Sequence, residues 1–227
     1  MKSLGALLEV VAVAVGGLVL ASPAISFLGL SAQDIYGDVP HLVLYLMLET
    51  SLTLGIILIL LWTGGRSLRD LGWAKRGWWK ESLAGVSVVP LLFGATFLVG
   101  FLFPIVLPQY VSESNPLLEM IQDGTDLGLL LLSSVLVGGI KEEVQRAFIL
   151  VHFRNHLGGA VPGLILWSVF FGAGHSFQGV DFAVAAGVLG LLFGLLYLWR
   201  GHLAAPIVAH ALYDVVTLLI FWGLLRS

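Results

Sequence analysis

The sequence predicts an all-α fold, a polytopic transmembrane bundle of about seven helices. Three observations predict it. Of 227 residues, 58% are hydrophobic and only 11% are charged, whereas ordinary soluble domains carry roughly 25% charge. Seven stretches approach the roughly 20 apolar residues that a bilayer-crossing helix needs. The alternation of a membrane β-barrel is absent, and a lone segment in lipid satisfies its own backbone only as a helix. This composition excludes a soluble globular enzyme and a disordered chain. A formal net charge of −3 lacks the basic excess of a nucleic-acid binder. Cysteine is absent, which removes disulfides, thiolate metal sites and a cysteine nucleophile.

The expected spans are 4–30, 39–63, 83–107, 127–153, 160–177, 182–199 and 203–225, and an eighth helix results if one stretch is divided. Pro23 marks a break near the end of the first, and Pro90, Pro104 and Pro108 predict a kink in the third. The first stretch is read as a retained helix. Glu9 interrupts its apolar run, Lys2 is a minimal basic flank, and no small-x-small cleavage site follows a short apolar core. No internal repeat or low-complexity linker is visible, so residues 1–227 read as a single integral-membrane domain. The absence of paired halves weakens a transporter reading.

Loop charges give the orientation. Arg66, Arg69, Lys75, Arg76 and Lys80 crowd one connection, which places it in the cytoplasm. Lys2, Arg154 and Arg200 then fall on the same side. The opposite loops carry Asp34, Asp38, Glu113, Glu119, Asp123, Asp126 and Asp181, with no Lys or Arg. Only Arg226 departs from the pattern. The expectation is a multi-pass plasma-membrane protein with a cytoplasmic N-terminus. Trp62, Trp73, Trp78 and Trp79 beside the basic residues read as interfacial anchors. Ala186, Gly190 and Gly194, with Ala183 and Gly187 on a neighbouring row, form a small-residue ridge for internal helix packing.

Charges inside spans need a reason, because one at the bilayer centre costs about 2.5–3.5 kcal/mol on insertion scales. Glu9, Glu49, Lys141, Glu142, Glu143, Arg146, His175, His210 and Asp214 all fall there. The densest group is Lys141-Glu142-Glu143-Val144-Gln145-Arg146, flanked by apolar residues on both sides. On a helix Arg146 meets Glu142 at i+4 and Glu143 at i+3, so it neutralises one carboxylate and leaves the other available. His210 and Asp214 share a helical face, where the carboxylate orients the imidazole or joins it around a ligand. Counting about 1.5 Å per residue from the cytoplasmic ends puts Glu142 roughly 17 Å deep, His175 roughly 22 Å and His210 roughly 10 Å. That spread is wide for one site. A carboxylate and two imidazoles in a partly dry cavity activate water. They do so either around a zinc ion held by Glu142, His175 and His210, or without metal, with Glu142 as general base. Either route is hydrolysis.

The ordered set Glu142-Glu143 with Arg146, then Phe171-x-x-x-His175, then His210-x-x-x-Asp214, on separate hydrophobic helices, resembles the CPBP family of intramembrane proteases. That family includes CAAX prenyl endopeptidases of the Rce1 type and Abi-type bacteriocin-processing proteins. The resemblance covers about 127–225. It implies an intramembrane endopeptidase acting on a membrane peptide or lipidated protein, with prenylated C-termini among the substrates. It implies Glu142 as the water-activating glutamate, Glu143 as the second glutamate held by Arg146, and His175 as the partner of the first. His210 and Asp214 become metal ligands or an oxyanion-stabilising pair. Two features depart from the family pattern. Only two residues separate Glu143 from Arg146, where the family usually has three. Asp214 stands where Asn is common, and ionised Asp cannot donate to an oxyanion. The competing readings are a non-catalytic scaffold or immunity-type protein of the same fold, and an ion-coupled transporter, for which Glu9 and Glu49 are the best support.

Overall fold

The computed structural model describes residues 2–225; Arg226, the one exception to the charge pattern, lies outside them. Seven long helical segments follow the seven apolar stretches. They are α1 (Lys2–Phe27), α2 (Val39–Thr63), α3 (Trp78–Val106), α4 (124–156), α5 (Ala160–Gly174), α6 (Val180–Arg200) and α7 (Ala204–Leu225). Short helical turns fill the loops, and no strand occurs among the described residues. Five of these helices, α1, α2, α3, α6 and α7, are long and apolar enough to cross a membrane. The chain is a polytopic helical membrane protein.

Local chemistry sets the ends. The Asp38 carboxylate accepts the His41 N–H at 2.9 Å and Pro40 sits in the first turn, so α2 starts where its donors are capped. One expected irregularity is corrected: α1 runs through Pro23 to Phe27, while α3 continues as helix through Pro90 and Pro104. Pro108 instead opens a short turn beyond α3. The fifth span is shorter than expected and ends at Gly174, which leaves His175 just past its C-terminus.

α4 is not uniform. It is α-helical over Gly124–Ser133, π-helical over Ser134–Glu142, and α-helical again over Glu143–His156. The wider i→i+5 turn is rare and is often found at functional sites. From Glu143 to His152 every residue is buried, and these side chains form the centre of the largest apolar cluster. α1, α2, α5 and α6 pack against this column. α1 pairs with α2, α3 with α7, and α5 with α6, while α7 lies along the π-helical stretch. The small-residue ridge of α6 faces α5: a Cβ on Gly190 would meet Phe171, and one on Gly194 would meet Leu164. Gln145 donates its amide to the Val13 carbonyl at 2.7 Å, docking α1 on the column.

The basic loop between α2 and α3 is not a free linker. Gly72 adopts φ +86°, and a Cβ there would sit 2.7 Å from the Gly201 carbonyl oxygen, so only glycine fits. The Leu203 N–H donates to the Gly72 carbonyl at 3.1 Å. The Tyr197 hydroxyl donates to Leu71 at 3.1 Å and His202 Nε2 to Ala74 at 2.9 Å. Arg200 grips Glu81 through two bonds of 2.6 and 2.7 Å. The start of α7 is therefore roofed by the loop, and Leu203, Ala204 and Ala205 are fully buried. Ser67 donates both its N–H and its hydroxyl to Asp70, which holds that carboxyl below its ordinary pKa.

Candidate active site

The roof over α7 explains the depth discrepancy in the sequence. Residue counting took the start of α7 as the membrane surface, but that start lies inside the protein. His210 accordingly reaches the level of the glutamates on α4. His210 Nδ1 lies 2.7 Å from Glu143 Oε1. Because a carboxylate accepts, Nδ1 carries the proton and donates. The same Glu143 oxygen is bonded to Arg146 Nη1. Arg146 therefore takes Glu143, not Glu142, and the i,i+3 spacing is sufficient despite the shortened motif. Glu143 and Arg146 are both completely buried.

Aromatic rings close the pair in. The Arg146 guanidinium lies over Phe171 at 4.9 Å and over Phe193 at 5.5 Å. Cation–π attraction gains strength where water is excluded. The His210 ring stacks on Phe193 at 4.3 Å and meets Phe171 edge-on at 6.0 Å. Phe171 also contacts His175 at 4.6 Å. His175 Nδ1 lies 2.8 Å from the Phe171 carbonyl. A carbonyl can only accept, so Nδ1 is the donor and Nε2 is left as the imidazole's acceptor.

Glu142 differs from its neighbour. Its side chain is 16% exposed and has only distant partners, Lys141 Nζ at 3.8 Å and His210 Nε2 at 3.7 Å. Asp214 Oδ2 also faces His210 Nε2, at 3.6 Å, and its side chain is 30% exposed. The structure thus separates the two glutamates physically: one is sealed in an ion-pair network and the other is partly exposed with no close partner among the described residues. His175 joins the group through Phe171; the other five candidate residues meet by direct contact.

Among the described residues, no three His, Asp or Glu side chains are arranged to hold a metal ion. Glu142, His175 and His210, the expected zinc set, do not form such a group, and the Lys141 ammonium lies beside Glu142.

Sequence reasoning missed three participants. Lys141 Nζ pairs with Glu49 Oε2 at 2.9 Å, and Thr53 donates to the other Glu49 oxygen at 2.8 Å. Lysine and glutamate were both visible as intramembrane charges, and opposite charge was the available signal for joining them. Glu9 is paired as well, with Arg66 at 2.6 Å and His152 at 2.8 Å. Both glutamates that suggested a proton relay are thus anchored by cations. Gly138 is the third: a Cβ there would lie 2.6 Å from Asp214 Oδ2 and 3.4 Å from His210 Nε2. Its bare backbone makes room for the Asp214 carboxylate, a requirement no sequence pattern shows.

Residues 124–216 match the family model of the type II CAAX prenyl endopeptidases, described as Rce1-like. The resemblance carried by the motifs is borne out over this segment, which holds all six candidate residues. α1, α2 and α3 lie outside it. Neither a curated protein nor a solved structure matches the chain.

Proposed function

We propose that this protein is an intramembrane endopeptidase of the CAAX type, using water activated by Glu142. The observation that carries the reading is the division between adjacent carboxylates. Glu143 is consumed by Arg146 and His210, while Glu142, partly exposed, lies 3.7 Å from His210 Nε2, which Asp214 also faces at 3.6 Å. A general base must reach its proton, and of the two glutamates Glu142 is the more accessible.

In the proposed reaction Glu142 takes a proton from water, and the hydroxide adds to the scissile carbonyl carbon. Glu143 holds the imidazole of His210 through Nδ1–H, so that Nε2, when protonated, donates to the developing oxyanion. His175, fixed by its bond to the Phe171 carbonyl, presents Nε2 to the same water. The tetrahedral intermediate collapses as the C–N bond breaks, and the proton on Glu142 passes to the leaving amine. Arg146 holds Glu143 ionised and in place. Asp214 faces Nε2 of His210 and supports its protonated form.

The proposed substrate is a membrane-associated peptide, with prenylated C-termini included. The proposed setting is the plasma membrane with the basic loop and N-terminus in the cytoplasm. One assay tests the core: the purified chain is incubated with membrane peptides, prenylated and unprenylated, beside Glu142→Ala. Cleavage by the parent and none by the variant is expected. Full activity in Glu142→Ala overturns the role of Glu142, and no cleavage by the parent favours a non-catalytic scaffold. A chelator arm separates the routes: loss of cleavage, restored by zinc, overturns the metal-free route.

A further inference from the structure

A second site lies far along α2 from the catalytic group, beneath the basic loop. It is a pocket of about 680 Å³, a size typical of small-ligand sites. Its walls divide by chemistry. Leu58, Trp62 and Leu68 supply an apolar side, while Arg69, Lys75 and Arg76 supply a cationic rim. Among the described residues these three cations form no ion pair, whereas Arg66 at the pocket's inner edge is already held by Glu9 and His152. All three are exposed. Three unpaired cations around one opening create a demand for negative charge.

Two further observations define the occupant. The apolar side is the outer surface of α2, where Leu58 is half exposed and Trp62 is 80% exposed. It therefore continues from the pocket onto a face of a membrane-spanning helix, where lipid chains lie. A soluble anion has no use for such a wall. The cationic rim, by contrast, is held at the end of that span, where headgroups lie. The pocket is also preformed. The loop that carries the rim is bonded through Leu71, Gly72 and Ala74 to α6 and to the turn that leads into α7, and the Trp73 ring lies tilted against Trp78 at 5.5 Å. A rim fixed in advance loses little freedom on binding.

We propose that this pocket binds an anionic phospholipid of the adjoining leaflet, with its phosphate on Arg69, Lys75 and Arg76 and an acyl chain along Leu58 and Trp62. The interaction goes beyond interfacial anchoring, because it selects a headgroup charge and saturates at one molecule. It also lies outside the segment that resembles the CAAX endopeptidases.

The test uses the full chain in an uncharged detergent. It is titrated with dioctanoyl phosphatidylglycerol, with dioctanoyl phosphatidylcholine and with glycerol 1-phosphate, and binding is read by calorimetry. Saturable one-to-one binding of phosphatidylglycerol is expected, with no matching signal from the other two. Removing all three cations in Arg69→Gln/Lys75→Gln/Arg76→Gln weakens it by roughly a hundredfold, taking each cation near a membrane surface at its usual worth. These residues support no ion pair, so the variant should melt as the parent does without lipid. Leu58→Ala/Trp62→Ala weakens the lipid through its chain and leaves the rim intact. Undiminished lipid binding in the triple variant overturns the proposal. So does phosphatidylcholine binding as tightly, or glycerol phosphate matching the lipid, which would make this a site for a soluble phosphate.

Discussion

α3 and the inner part of α4 meet the same membrane with opposite sequences. After Glu81, α3 carries no charge through Val106, and Phe97, Phe101 and Ile105 face outward. In its most apolar stretch only 11% of residues are buried. From Glu143 to His152, α4 holds a glutamate, a glutamine, an arginine and a histidine, and all are buried. Lipid solvates the first helix, so its side chains need only be apolar. Protein solvates the second, so each polar group needs a partner. Of these two, the helix that looks more like a membrane span is the less informative about chemistry, and the one interrupted by charge carries three of the six candidate residues.

The comparison breaks most sharply at Glu142. Glu142→Gln should lower peptide cleavage by about 100- to 10,000-fold, the usual contribution of a general base, with little change in melting temperature in detergent. Arg146→Met should do the converse. It leaves Glu143 buried without its cation, at about 3–5 kcal/mol, measured as lost thermal stability, and Glu143→Gln in the same chain should restore part of it. The lipid-facing helix offers the mirror test. Phe97→Asp places a carboxylate at a position 77% exposed, where no cation waits. It should cost about 2.5–3.5 kcal/mol in an insertion assay, although α4 carries two carboxylates in its own span. The smallest effect comes from geometry alone. Gly138→Ala should push the Asp214 carboxylate aside and lower activity by up to about a hundredfold, the scale of a 1 Å misplacement, while the protein stays folded.

The bundle was legible because lipid imposes one rule on every span. α2 begins at Val39 and ends at Thr63 as the sequence predicts, since Asp38, Pro40 and Gly64 punctuate it. Arg146 was legible as the partner of one glutamate, since helical spacing is local. Which glutamate it takes was not, because both lie within reach and His210, a distant residue, fixes the choice. The π-helical turn at Ser134–Glu142 was hidden for a similar reason: its apolar pattern reads as ordinary helix, and its width is set against α7, where a Cβ on Gly139 would meet Ala211 at 3.0 Å. The depth of His210 was misjudged because the loop that roofs α7 is bound to it only in three dimensions.

The pairing of charges around α4 also bears on how the protein is made. Chains enter the membrane from the N-terminus onward, and a charged segment is hardest to place while its partners do not yet exist. Arg146 finds Glu143 three residues away in the same helix, and Lys141 finds Glu49 on α2, which is synthesised first. Three of the segment's four charges, Lys141, Glu143 and Arg146, therefore have partners before α5, α6 and α7 leave the ribosome. His210 arrives last, on α7. The candidate site is completed at the end of biosynthesis, on a segment most of whose charges are already paired.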